Sequence, residues 1–419
     1  SLSFSIYECL NLLDDYKQSI WLDCDVMIQK DFSEVIKNNK DFYHGPIRCI
    51  FTANEENGFP GSESLGEMED GSKINVISHD EGYDYLLNLD TGPIGDVVFN
   101  SGGGYFNTVT GSKYETVPHT GATQYTVRIY DGQGGHSGVD IGKGYGNPIG
   151  LVCQALKTAD TDIQLESFTA PRSTNTSIPT EAIATFYSYT SSIDELKQKI
   201  EPWFAKAKRQ KYAHDINLKL EIQSQEVVDT HHSFQSETSK KIIDFVSSLE
   251  FGALERYIEP DEHDAVRVSG NIGQMEITID QTTKENKFML VYGNRFQEIS
   301  YFKQYYETDY DEQFAAFAQS LPTGTTSTPS DWSSWEGDKN GKLASLCTNA
   351  YKKIKVPTKK VRCHGGLECA DFKAFNDWLD IISTGSTVYM EHNVKESMPL
   401  DSYRQLIKML LNVFSKMEF

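Results

Sequence analysis

The chain has 419 residues, more than one ordinary core holds, so two domains or one domain with a large insertion are expected. A net charge of −21, from 39 Lys and Arg against 60 Asp and Glu, argues against a nucleic-acid binder, because nothing concentrates the cations that phosphates require. No apolar run approaches the roughly 20 residues of a membrane span, and seven cysteines without CxxC spacing fit a reduced, cytoplasmic setting.

In chain order, four short apolar runs read as buried parallel strands, each followed by a polar turn or a helical stretch. They are "SIWLDCD" to Asp25, "IRCIFTANEE" to Glu56, "DYLLNLD" to Asp90 and "WLDIISTGSTVYMEH" to His392. Every one finishes in a residue that can ligate a metal, and in open α/β sheets sites gather beyond the carboxyl ends of the strands. Helices are expected over "DFSEVIKNN", "KNGKLASLCTNAYKKIK" and the C-terminal "LDSYRQLIKMLLNVFSKM", whose apolar residues recur at helical spacing.

Between roughly 113 and 330 the texture changes. Alternating strands such as "QYTVRIYDG", "AIATFYSY", "NLKLEIQSQ", "GQMEITID" and "FMLVYGN" are interleaved with helices such as "SIDELKQKIEPWFAKAK" and "SETSKKIIDFVSSL". That alternation predicts one or two open-faced α+β sandwiches inserted into the first domain. The Thr-, Ser-, Pro- and Gly-rich "SLPTGTTSTPSDWSSWEGD" reads as the returning linker. The expected layout is thus an α/β catalytic domain with a mainly parallel central sheet, 1–112 and 331–419, and an inserted lid and dimerisation domain, 113–330. Because the chain starts at Ser1 without methionine and at once reads as a buried segment, its first part is expected to be N-terminally incomplete.

The motifs "HGPIRCIFTANEENG", "LLNLD", "GGHSGVDIGKGYGNPIGL", "SIPTEAIATF", "SGNIG", "HGGLECADF" and "GSTVYMEHNVKESM" resemble, in order and spacing, those of the aminoacyl-histidine (Xaa-His, carnosine-type) dipeptidases. These belong to the di-zinc aminopeptidase and carboxypeptidase superfamily, and the resemblance runs from about His44 to the end. It implies hydrolysis of short peptides, a homodimer, and two zinc ions, with Mn or Co as substitutes. It also implies that Glu56, Asp90 and His392 ligate metal while Glu55 is the general base. Zinc with an open position lowers the pKa of its water to roughly 7, and an adjacent unbound carboxylate can take the proton and return it to the leaving amine. The plain alternative for the Glu55–Glu56 pair is a solvated turn.

Further residues follow from the same resemblance. His136, in "GGHSG", resembles the lid histidine that reaches an active site of a partner subunit and stabilises the tetrahedral oxyanion; alone, it reads as a surface turn. Arg295, in "YGNRF", is placed to clamp the terminal carboxylate of a dipeptide in bidentate fashion, with a structural arginine as the alternative. Asn271 would hydrogen-bond the same end of the substrate. His364 and Glu368, in "HGGLECADF", read as substrate contacts or as a plain strand-to-helix turn, and Cys369 as packing.

The sequence departs from the family pattern at its start. The family's first zinc motif, a histidine and an aspartate one residue apart, has no counterpart, since the first histidine is His44. Asp25 falls where the bridging aspartate is expected, but Val26, Met27 and Gln29 replace small residues. "IWLDCDVMIQKDFSEVI" also resembles the DxD segment of glycogenin-like glycosyltransferases, in which Asp23 and Asp25 would hold manganese against a diphosphate. Three readings therefore stand: a metallodipeptidase, a catalytically degenerate peptide-binding relative, and a nucleotide-sugar glycosyltransferase.

Overall fold

The structure is a computed structural model that describes residues 20–22, 26–28, 50, 52, 59–63, 84–258, 265–389 and 397–416. It divides into two compact units, Ser1–Ser101 with Ser333–Phe419, and Gly102–Trp332.

Among the described residues of the first unit, five strands form one sheet: Trp335–Glu336, Asp96–Ser101, Asp380–Ser383 and Tyr85–Asn88 in that order, with Lys359–Cys363 also on Asp96–Ser101. Lys359–Cys363 runs parallel to Asp96–Ser101, and Asp380–Ser383 runs parallel to Tyr85–Asn88. Asp380–Ser383 and Trp335–Glu336 both run antiparallel to Asp96–Ser101. The sheet is therefore mixed, which corrects the mainly parallel expectation. The cause is local: the connection 89–95 is too short for a crossover helix, so the chain must come back in the opposite direction.

Both faces of this sheet are covered, which is why its strands read as near-continuous apolar runs. Val97, Phe99 and Ile382 pack with Leu343, Cys347 and Tyr351 of helix Lys342–Lys353 and with Leu406, Met409 and Val413 of helix Leu400–Phe414. Val98 and Ile381, one residue out of phase, meet Trp335, Leu367, Cys369 and Phe372 on the other side. Each such side chain contributes about 1.5–3 kcal/mol of transfer free energy. Asp380 Oδ2 accepts from Leu343 N at 2.9 Å and so ties the strand to the start of the helix.

The second unit is built on a nine-stranded antiparallel sheet. Its path is Lys219–Val227, Ala122–Tyr130, Ala182–Tyr187, Gln164–Thr169, Val266–Ile279, Asn286–Phe296, Gly103–Ser112 and Thr326–Trp332, with Gly252–Arg256 on Val266–Ile279. One core joins Val127, Ile129, Leu165, Phe186, Ile277 and Leu290 of the sheet to Leu151 and Leu156 of helix Pro148–Ala159, Leu196 and Ile200 of Ile193–Gln210, Ile242 of Ser236–Ser248 and Phe314 of Thr308–Ser320. Helix Ile193–Gln210 starts at a capping box between Ser192 and Glu195, which satisfies donors that would otherwise be orphaned.

Two segments differ from their expected form. The Thr- and Pro-rich stretch is not a linker: Thr326–Trp332 pairs with Gly103–Ser112 along its whole length, with Pro329 opposite Asn107. It is an edge strand, where a residue without an N–H costs the ladder little. At the other end, Ile20–Leu22 pairs antiparallel with Val26–Ile28, so "SIWLDCD" supplies one arm of a hairpin instead of a parallel strand. The "DFSEVIKNN" helix lies outside the described residues. No helix among the described residues is long and apolar enough to cross a membrane.

Candidate active site

Of the ten residues expected at the site, Asp25, Glu55, Glu56 and His392 lie outside the described residues. The other six fall into two groups, one in each unit.

In the first unit Asp90 follows strand Tyr85–Asn88, and local hydrogen bonds fix its backbone. Asn88 Oδ1 accepts from Asp90 N at 2.7 Å and from Ser383 Oγ at 3.0 Å, so the two parallel strands share one side-chain acceptor. His364 and Glu368 are buried between strand Lys359–Cys363 and helix Cys369–Phe375. Glu368 Oε2 accepts from Thr52 Oγ1 at 2.8 Å, which brings the segment leading to the Glu55–Glu56 pair onto this helix start. The Cys369 thiol is pushed well above its usual range, by burial first and then by the carboxylates of Asp90 and Glu368. Both carboxylates are thus within electrostatic reach of one buried sulfur. Cys369 is a free, buried cysteine, as a packing residue should be. Among the described residues no group of three or more His, Cys, Asp and Glu could hold a metal ion.

The second unit gathers donors. His136 sits on the short strand Gly135–His136, paired with Ser177–Ile178. Gly135 has φ +128°, and a Cβ there would lie 2.4 Å from Asp140 Oδ2, so the glycine before the histidine is required. The same Asp140 oxygen accepts from His136 N at 2.7 Å. His136 Nδ1 faces the backbone N–H groups of Gly138 and Val139, at 3.3 and 3.2 Å. Both N–H groups thus point at Nδ1, and the ring tautomer depends on these contacts together with the partner of Nε2.

Arg295 Nη2 lies 3.5 Å from that Nε2. The guanidinium, a donor at every pH, therefore faces the second ring nitrogen of His136. The guanidinium is 4% exposed; its Nε donates to Ser137 Oγ at 3.0 Å and its Cζ stands 5.2 Å from the Trp332 ring. Asn271 belongs to the same face but is partly committed: Oδ1 accepts from Asn147 Nδ2 at 3.0 Å, and Nδ2 donates to the Ser177 carbonyl at 2.8 Å. Phe106, Ser137, Asn175, Ser269, Asn271, Gly293 and Arg295 line a shallow, tightly packed depression here.

Three contributors escape a reading of the sequence. Ser137 lies inside the "GGHSG" motif but gave no sign that it orients Arg295. Trp332 is hidden in a stretch that reads as linker. Thr52 is an ordinary strand residue until Glu368 is beside it.

No family model matches the chain. The cytosol non-specific dipeptidase of Escherichia coli (strain K12) is 23% identical over 370 residues, 87% of this chain and 70% of that protein. The structure of aminoacylhistidine dipeptidase from Vibrio alginolyticus superposes with a TM-score of 0.72 at 20% identity, covering 96% of this chain and 79% of that one. That superposition shows a shared fold, with an α/β unit and mixed and antiparallel sheets. Together with the motifs above, these likenesses extend over most of the chain, and the chain belongs to the M20 family of aminoacyl-histidine (cytosol non-specific) dipeptidases.

Proposed function

We propose that this chain hydrolyses dipeptides, Xaa-His among them, in the cytosol and as a homodimer. The observation that carries the reading is the placement of His136 beside the buried Arg295 guanidinium, with Nη2 3.5 Å from Nε2. In this reading residues 1–112 and 331–419 form the catalytic domain, and 113–330 the lid and dimerisation domain.

The donor set toward a cation is Asp90 together with Asp25, Glu56 and His392, three carboxylates and one imidazole. Oxygen and nitrogen donors of this kind suit zinc, with Mn or Co as substitutes. They suffice for one ion, while a second would need a further ligand. When bound, zinc acidifies a coordinated water to a pKa of roughly 7. The remaining work belongs to the protein. Glu55 takes the proton of the attacking water and delivers it to the leaving amine. His136 donates from Nε2 to the oxyanion that develops on the scissile carbonyl, at an active site of the partner subunit. Arg295 and Asn271 hold the terminal carboxylate, while His364 and Glu368 contact the rest of the substrate.

The test is hydrolysis of Xaa-His dipeptides by the full chain with zinc added, with metal content measured in parallel. Turnover that depends on zinc and is lost in Asp90→Ala supports the reading. A folded chain that binds dipeptide without turning it over is instead the degenerate relative.

A further inference from the structure

His136 is carried by the connection between strand Ala122–Tyr130 and helix Pro148–Ala159. Contacts within this loop and beside it fix its middle. Gly135–His136 pairs with Ser177–Ile178, Ser137 N donates to the Thr176 carbonyl at 2.8 Å, and the Asp140 carboxylate that accepts from His136 N belongs to the loop itself. The two stems are held by a residue from another part of the chain, Asp215.

Asp215 lies in the turn between helix Ile193–Gln210 and strand Lys219–Val227 and is 1% exposed. Its two carboxylate oxygens serve opposite stems of the His136 loop. Oδ1 accepts from Gln133 N at 2.9 Å, ahead of the histidine, and Oδ2 accepts from Gly146 N at 3.1 Å, immediately before the helix N-cap Asn147. One carboxylate therefore sets the distance between the ends of the loop. Asp215 is itself anchored: its N–H donates to the Tyr212 carbonyl at 3.0 Å and its carbonyl accepts from Leu218 N at 3.2 Å. Lys208 Nζ donates to the carbonyls of Ile216 and Leu218 at 2.9 and 2.7 Å, which holds the same turn. Leu218 belongs to the core, and a Cβ at Gly146 would lie 3.0 Å from its Cδ2, so the second stem is seated directly on that core. Burying a carboxylate is costly, and here the donors that offset the cost come from both ends of one loop.

We propose that Asp215 is a positioning residue for the reaction: it clasps the two stems of the His136 loop and so sets where the imidazole stands. This rests on the reading that His136 stabilises the oxyanion. An imidazole displaced by about 1 Å loses much of its hold on charge that develops only in the transition state, so the clasp acts on kcat and leaves KM alone.

The experiment is Asp215→Asn, which keeps the size of the side chain but offers one acceptor and one donor where the carboxylate offers two acceptors. One stem N–H is then left facing an N–H. In the folded full chain with zinc, kcat for Gly-His should fall about ten- to a hundredfold with KM within about twofold. In a His136→Ala background the same substitution should change kcat by less than about twofold. Wild-type kcat in folded Asp215→Asn, or a loss carried by KM, overturns the clasp. So does an undiminished loss in the His136→Ala background, which would place the effect outside the histidine. If the wild type cleaves no dipeptide, the hydrolase reading fails, and NMR of isotope-labelled histidine rings decides the clasp, with His136 assigned from its absence in His136→Ala. Displaced His136 signals in Asp215→Asn support it; signals that coincide with those of the wild type overturn it. Asp215→Ser enters the same assays if Asp215→Asn does not fold. Failure of both variants to fold would show that the carboxylate holds the whole unit and not the loop, which overturns the proposal.

Discussion

The two units assemble opposite chemistry by different means. In Gly102–Trp332 the proposed substrate-holding groups stand on two sheets: Arg295 within Asn286–Phe296 and Asn271 within Val266–Ile279 on the large one, and His136 on the short pair Gly135–His136 with Ser177–Ile178, tied down by Asp140 and by the backbone of Gly138 and Val139. In the other unit Asp90, His364 and Glu368 stand just past strand ends, where turns and side-chain bonds such as Asn88–Ser383 and Thr52–Glu368 orient them. Strand pairing fixes the backbone of Arg295, and its Nε, donating to Ser137 Oγ, fixes the side chain. In the proposed reading, carboxylates held at strand ends would repel one another until a cation joins them.

The largest expected effect tests the carboxylate side. Glu55→Gln should lower kcat by about 10²–10⁴-fold while elemental analysis finds zinc retained, since a general base is not a ligand. Loss of zinc from that variant would show the two glutamates to have exchanged roles. Next comes the donor side: His136→Ala should lower kcat by about 10²-fold with metal content intact, and an unchanged kcat would remove this histidine from the reaction.

Acid should separate the units by stability. His119 and His232, in Gly102–Trp332, are both lowered from 6.5, by burial first. The unfolded chain takes up their protons first. Their contribution is therefore present above about pH 6.5 and is lost as pH falls from there through the folded values. Asp96, in the other unit, is raised from 3.8 by burial against the opposing pull of Lys359, so its contribution is fully present below 3.8 and is lost as pH rises through the folded value. Urea midpoints at pH 8 and pH 5.5 should show weakening of Gly102–Trp332 on acidification, and His119→Gln should shrink that difference. The smallest effect is a control. Ser192→Ala breaks the capping box and should cost about 1 kcal/mol in thermal or urea unfolding, with kcat/KM unchanged.

Much of the fold is legible from residue pattern. Period-2 alternation in "QYTVRIYDG" and "AIATFYSY" predicts half-buried strands, and these are Ala122–Tyr130 and Ala182–Tyr187. Helical spacing in "LDSYRQLIKMLLNVFSKM" predicts Leu400–Phe414. The direction of a strand is not written in its own residues, which is why a mixed sheet read as mainly parallel. The Thr- and Pro-rich edge strand was concealed for a related reason: its composition is that of a loop, and only Gly103–Ser112 alongside makes it a strand. At the site, motif order marks His136 and Arg295, but Ser137 at 3.0 Å and Trp332 at 5.2 Å from Arg295 come from chain segments far away in sequence.

What the sequence determined by itself is therefore local or family-wide: where helices and strands start, and which motifs tie the chain to the dipeptidases. Tertiary structure alone decided which way neighbouring strands run, what faces the ring nitrogens of His136, and which rings stand beside Arg295. The physical reason is that propensity and capping act within a few residues, whereas strand pairing, hydrogen-bond partnership and burial are relations between residues that only folding brings together.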